Sequence, residues 1–265
     1  MTTSQQYALV TGGTTGIGYE LARLLAADGY NLILVARHHE ELGRVSNDIS
    51  NQYGVHIFQV SKDLFNVNAC VEIYDLVKAK GLSVEILINN AGQGQYGEFT
   101  DTNLQREPDI IHLHISSVVA LTKLFLKDMV KNGRGKILNL SSIASKTPGP
   151  LNSVYHATKA FVQSFTEAIR EEVKEAGVTI TALLAGATDT DFFRKAEMEN
   201  SKVVVEGVLA DAATVAKDGY EAMMNGDDMI VSGIKNKIQV AMSAVTPDST
   251  LAKKMHKQQE PAENN

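Results

Sequence analysis

Tyr7-Ala8-Leu9-Val10-Thr11-Gly12-Gly13-Thr14-Thr15-Gly16-Ile17-Gly18 decides how this chain folds. Its first residues read as a buried strand, and the stretch from Glu20 to Ala26 has helical periodicity that ends at Gly29. Glycines between a first strand and a first helix let the backbone come close to a pyrophosphate. The helix N-terminus then stabilises the anion through its dipole and free N–H groups. The spacing is GxxxGxG rather than GxGxxG. A flexible loop accounts for glycines alone, but their place straight after the first strand favours a nucleotide site. Its residues are Gly12, Thr14, Thr15, Gly16, Ile17 and Gly18.

Outward from this stretch, strand-like apolar runs recur at 31–36, 55–60, 84–89, 136–141 and 178–184, with a weaker one at 229–231. Helix-length stretches lie between them at 17–28, 38–52, 66–80, 107–131, 153–176 and 211–224. Short apolar strands alternating with helices specify an α/β fold, a doubly wound, mainly parallel sheet of about seven strands with both faces covered. No repeat or linker divides the chain, so residues 1–252 are expected to form a single domain. The polar stretch 253–265 is expected to fray.

Tyr155 and Lys159 are four residues apart, and Ser142 closes a strand-like run thirteen residues upstream of the tyrosine. Residues four apart share one helix face, which would set an ammonium beside the phenol. A neighbouring positive charge favours the phenolate and lowers the tyrosine pKa. With Ser142 binding a substrate oxygen, the three side chains suit alcohol/carbonyl redox chemistry beside a hydride carrier. A bare YxxxK pair is also common on ordinary helix surfaces, so the reading depends on the other motifs.

Taken together, TGxxxGIG at Thr11 to Gly18, Asn89-Asn90-Ala91-Gly92, Ser142 and Tyr155-xxx-Lys159 resemble the short-chain dehydrogenase/reductase family over roughly the first 190 residues. The resemblance implies a Rossmann-like fold, a nicotinamide cofactor and catalysis by Ser142, Tyr155 and Lys159. Lys159 would also bind the nicotinamide ribose, and Tyr155 would lie against the same cofactor. It further implies cofactor contacts from Asn89, Ala91 and Gly92, from Asp63 to the adenine amino group, and from Gly186, Thr188 and Thr190 near the nicotinamide. Ala185 stands where the family usually has proline. His114 stands where many members have a catalytic asparagine. A buried histidine with satisfied hydrogen bonds is as good a reading of His114 as a working one.

Cofactor choice is read after the second strand run, where Arg37 precedes any acid. An acid there would repel a 2′-phosphate, whereas a guanidinium binds it through paired N–H donors. NADP(H) is therefore expected over NAD(H). The substrate is expected to be a small-molecule carbonyl or alcohol in a pocket that includes Gln93, Tyr96, Ser142, Phe192 and Phe193, under a lid at about 189–207. An apolar ketone, a steroid-like molecule or an acyl chain all suit that set.

The net charge of −6 gives no basic footprint for nucleic acid. Cys70 is the only cysteine, which excludes an intrachain disulfide and a thiolate metal cluster, and no metal is expected. No run reads as a signal peptide or reaches membrane-spanning length, so a cytoplasmic protein without membrane contact is expected. The 107–131 helix is apolar nearly all round and needs a cover. The resemblance implies that a homodimer or homotetramer supplies it, with the 153–176 helix. Two other functions fit parts of the sequence: an NADP(H) sensor with little turnover, and a sugar-nucleotide epimerase or dehydratase. The second normally has a substrate domain for which 265 residues leave little room.

Overall fold

The computed structural model describes residues 6–262. Seven parallel strands form one sheet in the order β3-β2-β1-β4-β5-β6-β7. They are β1 (Gln6–Thr11), β2 (Asn31–Ala36), β3 (Ile57–Ser61), β4 (Ser83–Asn89), β5 (Gly135–Ser142), β6 (Val178–Ala185) and β7 (Met229–Val231). Residues of β1, β2 and β4 are almost wholly buried, which is why these strands read as continuous apolar runs without alternation. The chain winds outward from β1 to β3 and then returns to β4, so the order reverses between β1 and β4. A crevice opens at the carboxyl ends of the strands at such a reversal.

Helices α1 (Gly16–Ala27), α2 (His39–Tyr53) and α3 (Ala69–Ala79) precede β4. After β4, α4 (Arg106–Ile111) runs through a π-helical turn at His112–Ser116 into α5 (Ser117–Asn132). Helix α6 (Ser153–Val173) follows β5. Two short helices, α7 (Phe192–Lys195) and α8 (Lys202–Val205), and then α9 (Ala212–Asn225) separate β6 from β7. The chain closes with α10 (Ile234–Ser243) and α11 (Asp248–Gln259).

The two faces of the sheet carry separate cores. Leu21, Leu25, Leu42, Ile49, Val215 and Met223 from α1, α2 and α9 pack on one. Cys70, Ile73, Val77, Leu121, Phe125 and Met129 from α3 and α5 pack on the other. Cys70 is a buried packing residue, and burial pushes its thiol up to about 11.

Two expectations need correcting. The span Arg106–Asn132 is long and apolar enough by length and composition to cross a membrane. It is instead the inner helix of the second core, through Leu113, Leu121, Phe125 and Met129. Nor does the described part of 253–265 fray. Gln259 is buried, Lys202 N donates to Glu260 O at 2.9 Å, and Ala262 N donates to Asn200 O at 2.7 Å. Residues 263–265 lie outside the described residues. The segment reads as a polar tail because only Leu251 on α11 reaches the core, and the rest of its anchoring is by hydrogen bonds.

Candidate active site

One cavity of about 1320 Å³ lies over the carboxyl ends of the strands, and nearly every expected site residue lines it. At one end is the loop from Gly12 to Ile17. Gly12 (φ +66°) and Gly16 (φ +56°) hold left-handed backbone that a side chain would strain. Asn90 clamps this loop, with its Nδ2 donating to Thr11 O at 2.9 Å and to Gly12 O at 3.1 Å. Thr11 Oγ1 in turn accepts from the backbone N–H groups of Asn90 and Ala91. Gly18 serves the clamp rather than the cavity: a Cβ there would fall 2.2 Å from Asn90 Nδ2.

Asn89 is likewise displaced from its expected role. Its buried amide donates to Asn139 Oδ1 at 2.8 Å and to Thr122 Oγ1 at 3.1 Å, tying β4 to β5 and α5 beneath the cavity floor. Asn90, Ala91 and Gly92 are the residues of that motif at the wall. Asn90 is one residue along within a motif already singled out, so the signal was present and the assignment one position off.

Arg37, His38, Asp63, Leu64 and Phe65 line the far end of the cofactor half. The Arg37 guanidinium lies 5.4 Å from the Phe65 ring centroid and 4.0 Å from Asp63. That ion pair is long and partly exposed, leaving the N–H fork open to a ligand. Glu41, which the sequence reading passed over, also lines this end and accepts a 3.5 Å hydrogen bond from Thr14. Across the cavity, Gly186, Thr188 and Thr190 line the opposite wall. The Thr190 methyl packs on Gly16 so closely that a Cβ there would sit 2.8 Å away.

Ser142, Tyr155 and Lys159 converge in the middle. Ser142 ends β5, where its Oγ donates to Ala185 O and accepts from Ala144 N, both at 3.1 Å. Tyr155 and Lys159 project from one face of α6. Burial pushes the Tyr155 phenol up to about 12, against the opposing pull of the Ser142 hydroxyl. Burial also brings the Lys159 ammonium down to about 8. The ammonium lies 5.6 Å from the Tyr155 ring centroid and donates to Leu140 O at 2.7 Å. The expectation that Lys159 lowers the tyrosine pKa is not met in this state: desolvation raises the phenol, and the opposing pull comes from Ser142.

His114 is fully enclosed behind Tyr155, with ring centroids 5.7 Å apart. Its Nε2 accepts from Gln93 N at 3.1 Å, so Nδ1 carries the proton and donates to Thr158 Oγ1 at 2.8 Å. Thr158 Oγ1 passes a hydrogen bond on to Tyr155 O. Burial, then Lys159, hold the His114 pKa well below the usual imidazole range, so the ring is neutral. The ring's hydrogen bonds are those of a satisfied buried histidine.

Phe192 closes the substrate half, its ring 5.0 Å from that of Tyr155, with Phe193 against it. Tyr96, by contrast, does not line the cavity. Its hydroxyl donates to Gln259 O, fastening α11 to the loop after β4. Sequence reasoning missed that α11 forms a wall, with Met255 and Gln259 lining the cavity. Gln259 Nε2 reaches His156 Nε2 at 3.0 Å, beside Tyr155. Leu251 and Met255, one helical turn apart, were the available signal.

A profile of the family described as short chain dehydrogenase matches residues 6–201. The chain belongs to this family. Among its relatives, a very-long-chain 3-oxoacyl-CoA reductase of Mus musculus is 35% identical over 188 residues, 68% of this chain and 58% of the relative. One of Anas platyrhynchos is 33% identical over 226 residues, 83% of this chain and 71% of the relative. The chain thus spans 58% of the length of the first of these. In fold, it resembles a 7beta-hydroxysteroid dehydrogenase with a TM-score of 0.83 at 22% identity, covering 94% of this chain and 96% of that one. It also resembles a short-chain dehydrogenase from Sphingobium yanoikuyae in complex with NADPH, with a TM-score of 0.81 at 23% identity and coverage of 91% and 94%. At these identities the structures show the shared fold, a parallel Rossmann-like sheet in a single domain.

Proposed function

We propose that the protein is an NADP(H)-dependent oxidoreductase that interconverts a carbonyl and a secondary alcohol, with Tyr155 as general acid and base. The observation that carries this reading is the place of Tyr155, with Ser142 and Lys159, between the glycine-loop half and the Phe192 half of one cavity. The residues present fit a dinucleotide. A left-handed glycine loop clamped by Asn90 leaves room for a diphosphate, and Arg37 offers an open fork at the ribose end. Bound there, the reduced nicotinamide supplies the hydride.

In reduction, Ser142 Oγ would orient the substrate carbonyl oxygen, exchanging its bond to Ala185 O for one to the substrate. With a pKa of about 12, Tyr155 is protonated at neutral pH and in the right state to give its proton to the developing alkoxide. Lys159, released from Leu140 O, would reach the ribose. Reversal of these steps oxidises the alcohol. Arg37 supports NADP(H), although Glu41 and Asp63 bring two carboxylates to the same end. The intact triad and the cavity beyond it support turnover over cofactor sensing. The named relatives and the apolar wall of Phe192, Phe193 and Met198 make a 3-oxoacyl thioester the first carbonyl to try. Ile111, Val130 and Phe161 remain partly exposed on α4, α5 and α6, consistent with a homodimer or homotetramer through these helices.

A screen of 3-oxoacyl thioesters and bulky ketones, read as NADPH oxidation against an NADH control, tests the reading. Turnover with NADPH preferred is expected. Tight NADPH binding with no turnover across the panel would favour the sensor instead.

A further inference from the structure

Helix α10 has no fully buried residue, and one of its faces is an exposed apolar stripe. Ile234, Ile238 and Met242 share one of its faces at successive turns, and Val245 follows in the turn beyond. With Val208 from the segment after α8, these side chains are 56% to 88% exposed. The opposite face holds the helix to the domain: Asn236 Nδ2 donates to Ser232 O at 2.7 Å, and Val240 packs on Ala182, Leu184 and Val231.

Charge borders the apolar stripe. At about 100° per residue, Lys235 and Lys237 fall on either side of it. From 234 to 259 the chain carries five lysines (235, 237, 253, 254 and 257) and one acid, Asp248, although its net charge is −6. The stripe also joins the active site, because Val208 and Ile234 line the cavity and are strongly exposed, so they form its rim.

We propose that this face docks on an anionic phospholipid surface, with the cavity mouth turned toward the lipid. Apolar side chains enter the headgroup boundary, flanking lysines meet the phosphates, and an apolar substrate passes from bilayer to cavity without crossing water. A second copy of the chain fits less well, since α10 carries no acid that could meet Lys235 and Lys237 across a two-fold contact along it. On this proposal the protein lies on a bilayer rather than spans it.

The test is cosedimentation of the full chain with phosphatidylcholine vesicles, with and without phosphatidylserine. Binding is expected with phosphatidylserine present, falling as salt rises. Ile238→Glu/Met242→Glu should bind at least about tenfold more weakly, since charged groups replace side chains that enter the boundary. Lys235→Glu/Lys237→Glu should lose the preference for phosphatidylserine. Circular dichroism monitors the fold of both variants, and NADPH affinity that of Ile238→Glu/Met242→Glu alone, since those two side chains do not line the cavity and Lys235 does. The proposal is overturned if the unaltered protein binds neither vesicle, or if both variants bind as it does. It is also overturned if Ile238→Glu/Met242→Glu dissociates a dimer that shows no vesicle binding, which would make a second copy the occupant.

Discussion

The two halves of the cavity are built in different ways. In the cofactor half, each wall residue stands within a few positions of a strand's carboxyl end: Gly12 after β1, Arg37 after β2, Asp63 after β3 and Asn90 after β4. In the substrate half, Phe192, Met198, Met255 and Gln259 come from α7, the connection from α7 to α8, and α11, held together by bonds such as Tyr96 to Gln259 and Lys202 to Glu260. The first half follows from the sheet. The second exists only once distant segments have docked, so it should be the softer and the more readily altered.

Tyr155 stands between the halves, and its removal should give the largest effect. Tyr155→Phe deletes the exchangeable proton and little else. We expect kcat to fall about 10²- to 10⁴-fold, with NADPH affinity retained. Substantial residual activity would remove Tyr155 as the acid and leave the two halves without a common chemical centre.

Lys159 sharpens the comparison through stability. Its pKa of about 8 lies below the unfolded value of about 10.4. Below pH 8 both states hold the proton, and the folded state bears the full burial penalty. Between these two values the unfolded state holds a proton that the folded state has lost, so stability rises with pH. Lys159→Met should therefore lose activity, bind NADPH more weakly, and yet raise the melting temperature of the cofactor-free protein at pH 7. That gain should shrink toward pH 10. A less stable variant at pH 7 would mean that the bond to Leu140 O outweighs the burial penalty.

Arg37 and Tyr96 test the halves separately. Arg37→Asp should weaken NADPH by ten- to a hundredfold, the equivalent of about 1.5–3 kcal/mol for a charge-assisted contact, with KM for the carbonyl unchanged. Tyr96→Phe removes one hydrogen bond that holds α11, of order 1 kcal/mol. Several-fold higher KM for the carbonyl is expected, with NADPH affinity unmoved. If each substitution shifts both constants, the halves are one cooperative unit and the contrast fails.

The same contrast explains what could be read from the chain. All seven strands and the six longer helices were legible, because buried parallel strands leave continuous apolar runs and amphipathic helices leave a strong period. The glycine loop and the Tyr155–Lys159 pair were legible because each spacing is local to one segment, and Ser142 because it closes the apolar run of β5. Asn89 was misassigned because adjacent amides differ only in which side of β4 they face. Helix α11 was misread because its anchors are Tyr96, Asn200 and Lys202, distant partners that no local pattern reveals.

The smallest effect is expected at His114, which ties the loop after β4 to α6 through Gln93 and Thr158. Its ring bridges a backbone N–H and a hydroxyl and stays neutral, since burial lowers its pKa well below the imidazole range. A neutral ring has no proton to give near pH 6.5, so it adds no limb to the pH–rate profile there. His114→Asn should retain most activity with the profile unshifted. Stability carries the signature instead. Below about pH 6.5 the unfolded chain takes up a proton that the folded ring refuses, so the unaltered protein should lose stability as pH falls. The asparagine variant should lose less over that interval. A profile limb near neutral pH that vanishes in His114→Asn would show a ring that titrates during turnover, and cofactor or substrate binding would then have to lift its pKa out of the depressed range that burial imposes.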